Sequence, residues 1–178
     1  MSLIIRPATF LDIDEVMAHE QRHMKEPGFN GSLSHPFLPD HVFDWDHKTT
    51  EKQQAWNRDL NEERWSRSFI LTDEKMVFGH VHLNNNFSGM FHRAQLGMGL
   101  EESVRGQGYG KKLLELAISW AKQQDSLYWI DLTYLAHNTP AKKLYTSCGF
   151  KELFVYEDRL RVGPHRIDDV FMTLKLRD

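Results

Sequence analysis

The chain has 178 residues, 40% hydrophobic and 26% charged, with a formal net charge of −3 and one cysteine. That length suits one well-buried domain spanning 1–178 and is short for two. The charge gives no reason to expect a nucleic-acid or membrane partner, no run nears the roughly 20 apolar residues of a membrane span, and a lone cysteine forms no internal disulfide, so a reducing cytoplasm is the expected compartment.

The elements alternate in an α/β order. Residues 3–6 read as a strand stopped by Pro7, and 12–24 as a helix with Ile13, Val16 and Met17 at helical spacing. Residues 25–47 break the pattern with prolines, glycines, phenylalanines and histidines. Thr49 and Thr50 read as helix starts, with Ala55 and Trp56 on the apolar side. Residues 68–72 and 76–83 form a predicted hairpin around Asp73-Glu74-Lys75, followed by a polar loop over 84–88. Residues 92–100 are the next strand. A helix over 108–124 is predicted to bury Leu113, Leu114, Ala117, Ile118 and Ala121. Residues 127–135 read as a buried strand and 140–147 as a short helix. Residues 150–158 and 166–176 complete the sheet as an antiparallel pair.

The run Arg105-Gly106-Gln107-Gly108-Tyr109-Gly110, opening into Lys111 and a helix, carries the strongest chemical signal. Alternate glycines leave backbone N–H groups uncovered, and the helix adds its own unpaired N–H groups and positive dipole end. Together they suit a pyrophosphate. A Walker loop fails here, because Arg105 stands where its first glycine belongs and Lys112 where the Mg²⁺-binding hydroxyl belongs. A dinucleotide fingerprint needs different glycine spacing, early in a βαβ unit.

About 30 residues on lies Asn138-Thr139-Pro140-Ala141-Lys142-Lys143-Leu144-Tyr145-Thr146-Ser147-Cys148-Gly149-Phe150. Read with the loop, this segment resembles the GNAT superfamily of acetyl-CoA-dependent N-acetyltransferases. The loop matches Arg/Gln-x-x-Gly-x-Gly/Ala at Arg105, Gly108 and Gly110. The second segment matches Asn-x-x-Ala-x-x-Leu-Tyr-x-x-x-Gly-Phe at Asn138, Ala141, Leu144, Tyr145, Gly149 and Phe150. The matched core runs over 94–150.

The resemblance implies an α/β fold with a mixed central sheet of about six to seven strands flanked by helices. It implies direct transfer of an acetyl group from acetyl-CoA to a primary amine of a small molecule, peptide or protein. Tyr145 would donate a proton to the leaving sulfur, and Asn138 would position the cofactor arm or cap its helix. Met98, Gly99 and Leu100 would offer backbone groups to the pantetheine, with Gly97 and Gly99 keeping that surface open. The cofactor's phosphates would meet Gly106, Gln107, Gly108, Tyr109 and Gly110, with Arg105, Lys111 and Lys143 as cationic partners.

The general base is not fixed by these motifs. Positions where some relatives carry a glutamate hold Ala94 and Gln95, which cannot take a proton at neutral pH. The alternatives are a water chain or one of His80 and His82, on one strand face, His92, Glu101 and Glu102. A lysine-like amine loses about 4–5 kcal/mol by being charged at pH 7, and an α-amine only about 1, so a missing carboxylate fits a low-pKa acceptor better. His80-x-His82 lacks a third ligand at metal spacing, and no metal is expected. Phe29, Phe37, Phe43 and Trp45 could wall an acceptor pocket, cover the sheet or make a homodimer contact. A CoA-binding sensor without turnover and an Mg²⁺-dependent nucleotide-binding protein are the alternative readings.

Overall fold

The computed structural model describes residues 2–27, 35, 37 and 41–178. Among these, the chain runs β1 (Ile4–Pro7), α1 (Ile13–His23), α2 (Trp45–Asn57), β2 (Ser66–Thr72), β3 (Val77–Asn84), β4 (Arg93–Leu100), α3 (Tyr109–Lys122), β5 (Trp129–Leu135), α4 (Thr139–Ser147), β6 (Lys151–Val162) and β7 (His165–Lys175). The strands form one seven-stranded sheet in the order β1-β2-β3-β4-β5-β7-β6. The β4–β5 pair is parallel, and the other pairs are antiparallel. This is the mixed α/β architecture that the motifs imply.

α1 and α2 cover one face of the sheet, where Ile13, Val16 and Met17 pack with Trp56, Ile70 and Val77. α3 covers the other face and buries Leu113, Leu114, Ala117, Ile118 and Ala121, the predicted set. They meet Phe69, Leu71, Val81, Leu83 and Leu132. Strand alternation sorts β3 between the two layers. Val81 and Leu83 join the α3 core, whereas His80 and His82 face α1. The hairpin turn is set by Asp73, whose carboxylate accepts the N–H groups of Lys75 and Met76 at 3.0 and 2.8 Å.

Two boundaries depart from the pattern-based expectation by more than two residues. α2 begins at Trp45 rather than at Thr49, because the Asp44 side chain accepts the His47 N–H at 2.9 Å and caps the helix a turn earlier. β6 runs past Asp158 to Val162. It does so through a register irregularity at which Asp158 adopts a φ of 48°.

β4 and β5 pair from Arg93↔Trp129 to Leu96↔Leu132 and then part. β4 continues to Leu100 against β3 alone, and β5 continues to Leu135 against β7 alone. A clasp holds the closed end of this wedge. Arg93 grips Asp131 through two bonds of 2.6 Å, and Thr173 of β7 donates to the same carboxylate at 2.7 Å. The Arg93 guanidinium also lies 4.9 Å from the Trp129 ring centre. Asp131→Ala is expected to cost about 2 kcal/mol, since it strands a charged donor that a carboxylate held twice. Urea unfolding measures this, and a loss under about 0.5 kcal/mol would deny the clasp a structural role.

Candidate active site

The open end of the wedge collects most of the motif residues. Strand alternation fixes which backbone groups face it. The Glu101 N–H bonds to the Phe78 carbonyl at 2.9 Å. In an antiparallel ladder, Gly99 and Gly97 therefore also turn their backbone groups toward β3, and Met98 and Leu100 turn theirs into the gap. The edge of β4 that lacks a strand partner is thus the stretch expected to meet an extended ligand arm. The Leu100 carbonyl is occupied by Arg105 Nε at 2.8 Å, which leaves the Met98 groups as the unengaged pair among the described residues.

Beyond Leu100 the chain turns through Gly106 and Gly108, at φ of 74° and 82°, into α3. A side chain at either position would meet nothing within 4 Å, so these glycines serve backbone conformation and an open surface rather than packing. The first intrahelical bond of α3 runs from Lys112 N–H to the Gly108 carbonyl at 3.3 Å. The N–H groups of Gly108, Tyr109, Gly110 and Lys111 therefore have no partner within the helix. A Cβ on Gly110 would lie 3.4 Å from Leu144 Cδ2, 3.7 Å from Leu100 Cδ1 and 3.8 Å from Met98 Cε. The absence of a side chain there lets the helix start, the end of β4 and α4 converge.

α4 brings Asn138 and Tyr145 to the same region. Asn138 Oδ1 accepts the Ala141 N–H at 3.1 Å, so it caps the helix. Tyr145 is buried, with its ring 6.1 Å from Tyr134 of β5 and 6.0 Å from Phe150. Burial alone pushes the Tyr145 phenol well above its ordinary pKa, so it keeps its proton at neutral pH. Cys148 follows as the C-cap of α4, and burial raises its thiol as well.

The predicted cations divide. Arg105 turns away from the loop and donates to Glu26 at 2.6 Å as well as to Leu100. Lys111 is half-exposed with Glu115 at 3.8 Å, and Lys143 is exposed on α4. Arg105 thus braces the loop, and Lys111 carries its charge in the first turn of α3.

Gly97 and Gly99 have another role than keeping a ligand surface open. A Cβ on Gly97 would come within 2.5 Å of His82 Cε1, and one on Gly99 within 2.6 Å of His23 Cδ2. Imidazole rings fill the space that these glycines leave. Glu101, in turn, is buried rather than solvated, and it holds His19 and Arg22 at 3.0 and 2.9 Å. His19 and His23 were not legible as site residues. Their one signal is a four-residue spacing on a helix opposite a strand carrying His80 and His82.

Phe37, Phe43 and Trp45 form one aromatic group with His41, with Phe37–Phe43 at 4.9 Å and Phe43–Trp45 at 5.3 Å between ring centres. Phe29 lies outside the described residues. A cavity of about 580 Å³ opens nearby, lined by Glu20, Lys48, Lys52, Trp65, His82 and Asn84 among others. Among the described residues, no group of three or more metal-ligating side chains is placed to hold a metal. No helix among them is long and apolar enough to cross a membrane.

Comparison with known proteins agrees with this fold. The family model for the acetyltransferase (GNAT) family matches residues 32–150. No curated protein matches the chain. Among solved structures, the chain is similar to the putative acetyltransferase yncA of Salmonella typhimurium, solved with its cofactor acetyl-CoA, at a TM-score of 0.80 and 17% identity, covering 100% of this chain and 96% of that one. It is similar to the ribosomal-protein-alanine N-acetyltransferase of Brucella melitensis at a TM-score of 0.77 and 21% identity, covering 97% and 99%. A spermidine N-acetyltransferase SpeG chimera from Vibrio cholerae and hSSAT gives a TM-score of 0.72 at 18% identity, covering 99% and 96%.

Proposed function

The chain belongs to the GNAT acetyltransferase family, and we propose that it transfers an acetyl group from acetyl-CoA directly to a primary amine, in a single catalytic domain spanning 1–178. The observation that carries this reading is the wedge. An unpaired strand edge at Met98 leads to a loop and helix start whose N–H groups have no partner within the helix, and α4, which carries Tyr145, meets that start through Leu144. An extended amide-bearing arm ending in a pyrophosphate matches both features. The bound cofactor supplies the acetyl thioester.

The chain's residues supply the rest. Met98 pairs with the arm as a strand would. The N–H groups of residues 106–111 take the phosphates, with Lys111 and Lys143 adding charge. Arg105 holds the loop to β4, and Asn138 fixes the first turn of α4. Tyr145 donates its proton to the sulfur as the C–S bond breaks. The acceptor enters from the α1–α2 side, beside the aromatic group of Phe37, Phe43 and Trp45.

Calorimetric titration with acetyl-CoA and CoA, followed by thiol release with spermidine, lysine and an alanine-initiated peptide, tests the proposal. Micromolar binding with release is the expected result. Binding without release from any of the three favours a CoA sensor, and no binding overturns the assignment. Gly108→Ala is expected to weaken acetyl-CoA binding about tenfold, because a side chain at positive φ costs about 1–2 kcal/mol that the loop relieves by rearranging. An unchanged dissociation constant would show that the loop does not hold the ligand.

A further inference from the structure

α1, β3 and the end of β4 enclose a chain of side chains that the transfer chemistry above leaves unused. His19 is fully buried. Its Nδ1 lies 3.0 Å from Glu101 Oε1, and its Nε2 lies 3.0 Å from His80 Nδ1. Arg22 Nε donates to the same Glu101 oxygen at 2.9 Å, and its terminal nitrogen donates to the Val77 carbonyl at 2.8 Å.

These bonds dictate the tautomers. Glu101 takes the Arg22 Nε–H and acts as the acceptor, so His19 donates from Nδ1 and leaves Nε2 bare. His80 must then donate from Nδ1 to His19, which leaves His80 Nε2 bare in turn. A carboxylate that orders one imidazole so that it orders a second produces a basic nitrogen at the far end of the chain.

That ring stands over the edge of the wedge. His80 pairs across the sheet with Gly99. A Cβ on Gly99 would lie 3.3 Å from His80 Cε1, the carbon between Nδ1 and Nε2. The Cε1 corner of the ring therefore lies over Gly99, beside the His23 ring, between the two residues whose backbones border the gap. His82 stacks beside it at 5.6 Å between ring centres but stands outside the chain, with Nδ1 buried and unpartnered.

We infer that Glu101, His19 and His80 form a proton relay in which His80 Nε2 takes the proton from the acceptor amine. This rests on the transferase reading above. As the amine nitrogen bonds to the acetyl carbon, its proton moves to His80 Nε2 while the C–S bond breaks and the sulfur is protonated. The His80 Nδ1–H strengthens its bond to His19 Nε2, and the His19 Nδ1–H its bond to Glu101, which offsets the new positive charge without a buried cation standing alone. At rest the ring is neutral. Burial lowers its proton affinity first, and His19, His82, Lys52 and His23 add unfavourable positive charge. Glu101, through His19, is the opposing group, with Arg22 donating to it and Glu20 of α1 paired to Lys52.

Two measurements decide this. In ¹⁵N-labelled protein at pH 7.5, imidazole correlation spectra assigned with His19→Gln and His80→Gln should show both rings neutral, protonated at Nδ1 and bare at Nε2. A proton on His80 Nε2 overturns the relay, and this spectrum needs no folded variant beyond those used for assignment. In thiol release at saturating spermidine, lysine or alanine-initiated peptide, wild-type kcat should be flat from about pH 6.5 to 8.5. His80→Gln should lower kcat about a hundredfold at pH 7.5 and make it rise with pH, as solution base replaces the ring, with acetyl-CoA affinity unchanged. A uniform fall without the new pH dependence would assign His80 a packing role only. Release that His80→Gln leaves untouched overturns the relay alone. No release from the wild-type protein with any of the three amines overturns the transferase reading, and with it the role given to His80.

Discussion

Tyr145→Phe is expected to lower acetyl-CoA-dependent thiol release by about a hundredfold or more, the usual contribution of a positioned acid, with acetyl-CoA affinity and melting temperature nearly unchanged. The tyrosine ring packs between Tyr134 and Phe150, and a phenylalanine keeps both contacts. Only the oxygen leaves. Burial alone sets the proton affinity of that oxygen, and it does so in the direction that keeps the phenol protonated until a stronger base than water is generated beside it. A leaving thiolate is such a base. The phenol therefore keeps its proton across the whole physiological range, and under the proposed acid role its loss should lower kcat by the same factor at pH 6.5 and pH 8.5. Equal rates in the two proteins would sink the acid role, and a large drop in melting temperature would show that the ring, rather than the proton, matters.

Acidification should destabilise this protein well before its carboxylates titrate. His80 and His82 both bind protons more weakly when folded than their ordinary value of 6.5, His82 with a value lowered to about 4, and burial is the first cause in each case. His19 and His23 are lowered too, again chiefly by burial. As pH falls, the unfolded chain takes up these protons first. The stabilisation is thus complete above about pH 6.5 and is lost as pH falls toward the folded values. Between pH 6.5 and 5 a histidine held fully neutral contributes a loss of about 2 kcal/mol. Counting His80 in full and the partly exposed His82 for half gives about 3 kcal/mol, or a melting temperature lower by about 6–12 °C. Thermal unfolding at pH 7.5, 6.5 and 5 reads this directly. A flat melting temperature over that range would mean that the rings are not held neutral, and His82→Gln should reduce the dependence by about a third.

The sequence announced its short-range physics and concealed its long-range physics. The apolar face of α3 was legible because Leu113, Leu114, Ala117, Ile118 and Ala121 repeat at helical spacing against a single core. The loop was legible because glycine at 106 and 108 has no packing reason to be there. The start of α2 was missed because Trp45-Asp46-His47-Lys48 carries almost no apolar period, and Asp44, rather than a threonine, supplies the cap. The histidine chain could not be read at all. Its bonds join residues 82 and 61 positions apart, and Gly97 and Gly99 looked like gaps for a ligand until the rings that occupy them were placed. A carboxylate at the end of a strand is ordinarily solvated, and only the packing of α1 shows that Glu101 is not.

The wedge between β4 and β5 also leaves a mark on hydrogen exchange. Past Leu96, the amides of Gly97 and Gly99 point into the ladder with β3, and those of Met98 and Leu100 point into the opening. In deuterated solvent the free protein should therefore exchange this one strand in alternation, each protected amide followed by an unprotected one, since protection follows the partner and not the strand. At Gln95 and Leu96 no such alternation exists, because β3 pairs one edge and β5 the other. The strand is continuous as a chain and discontinuous as a barrier to water, and the site begins where the second edge stops.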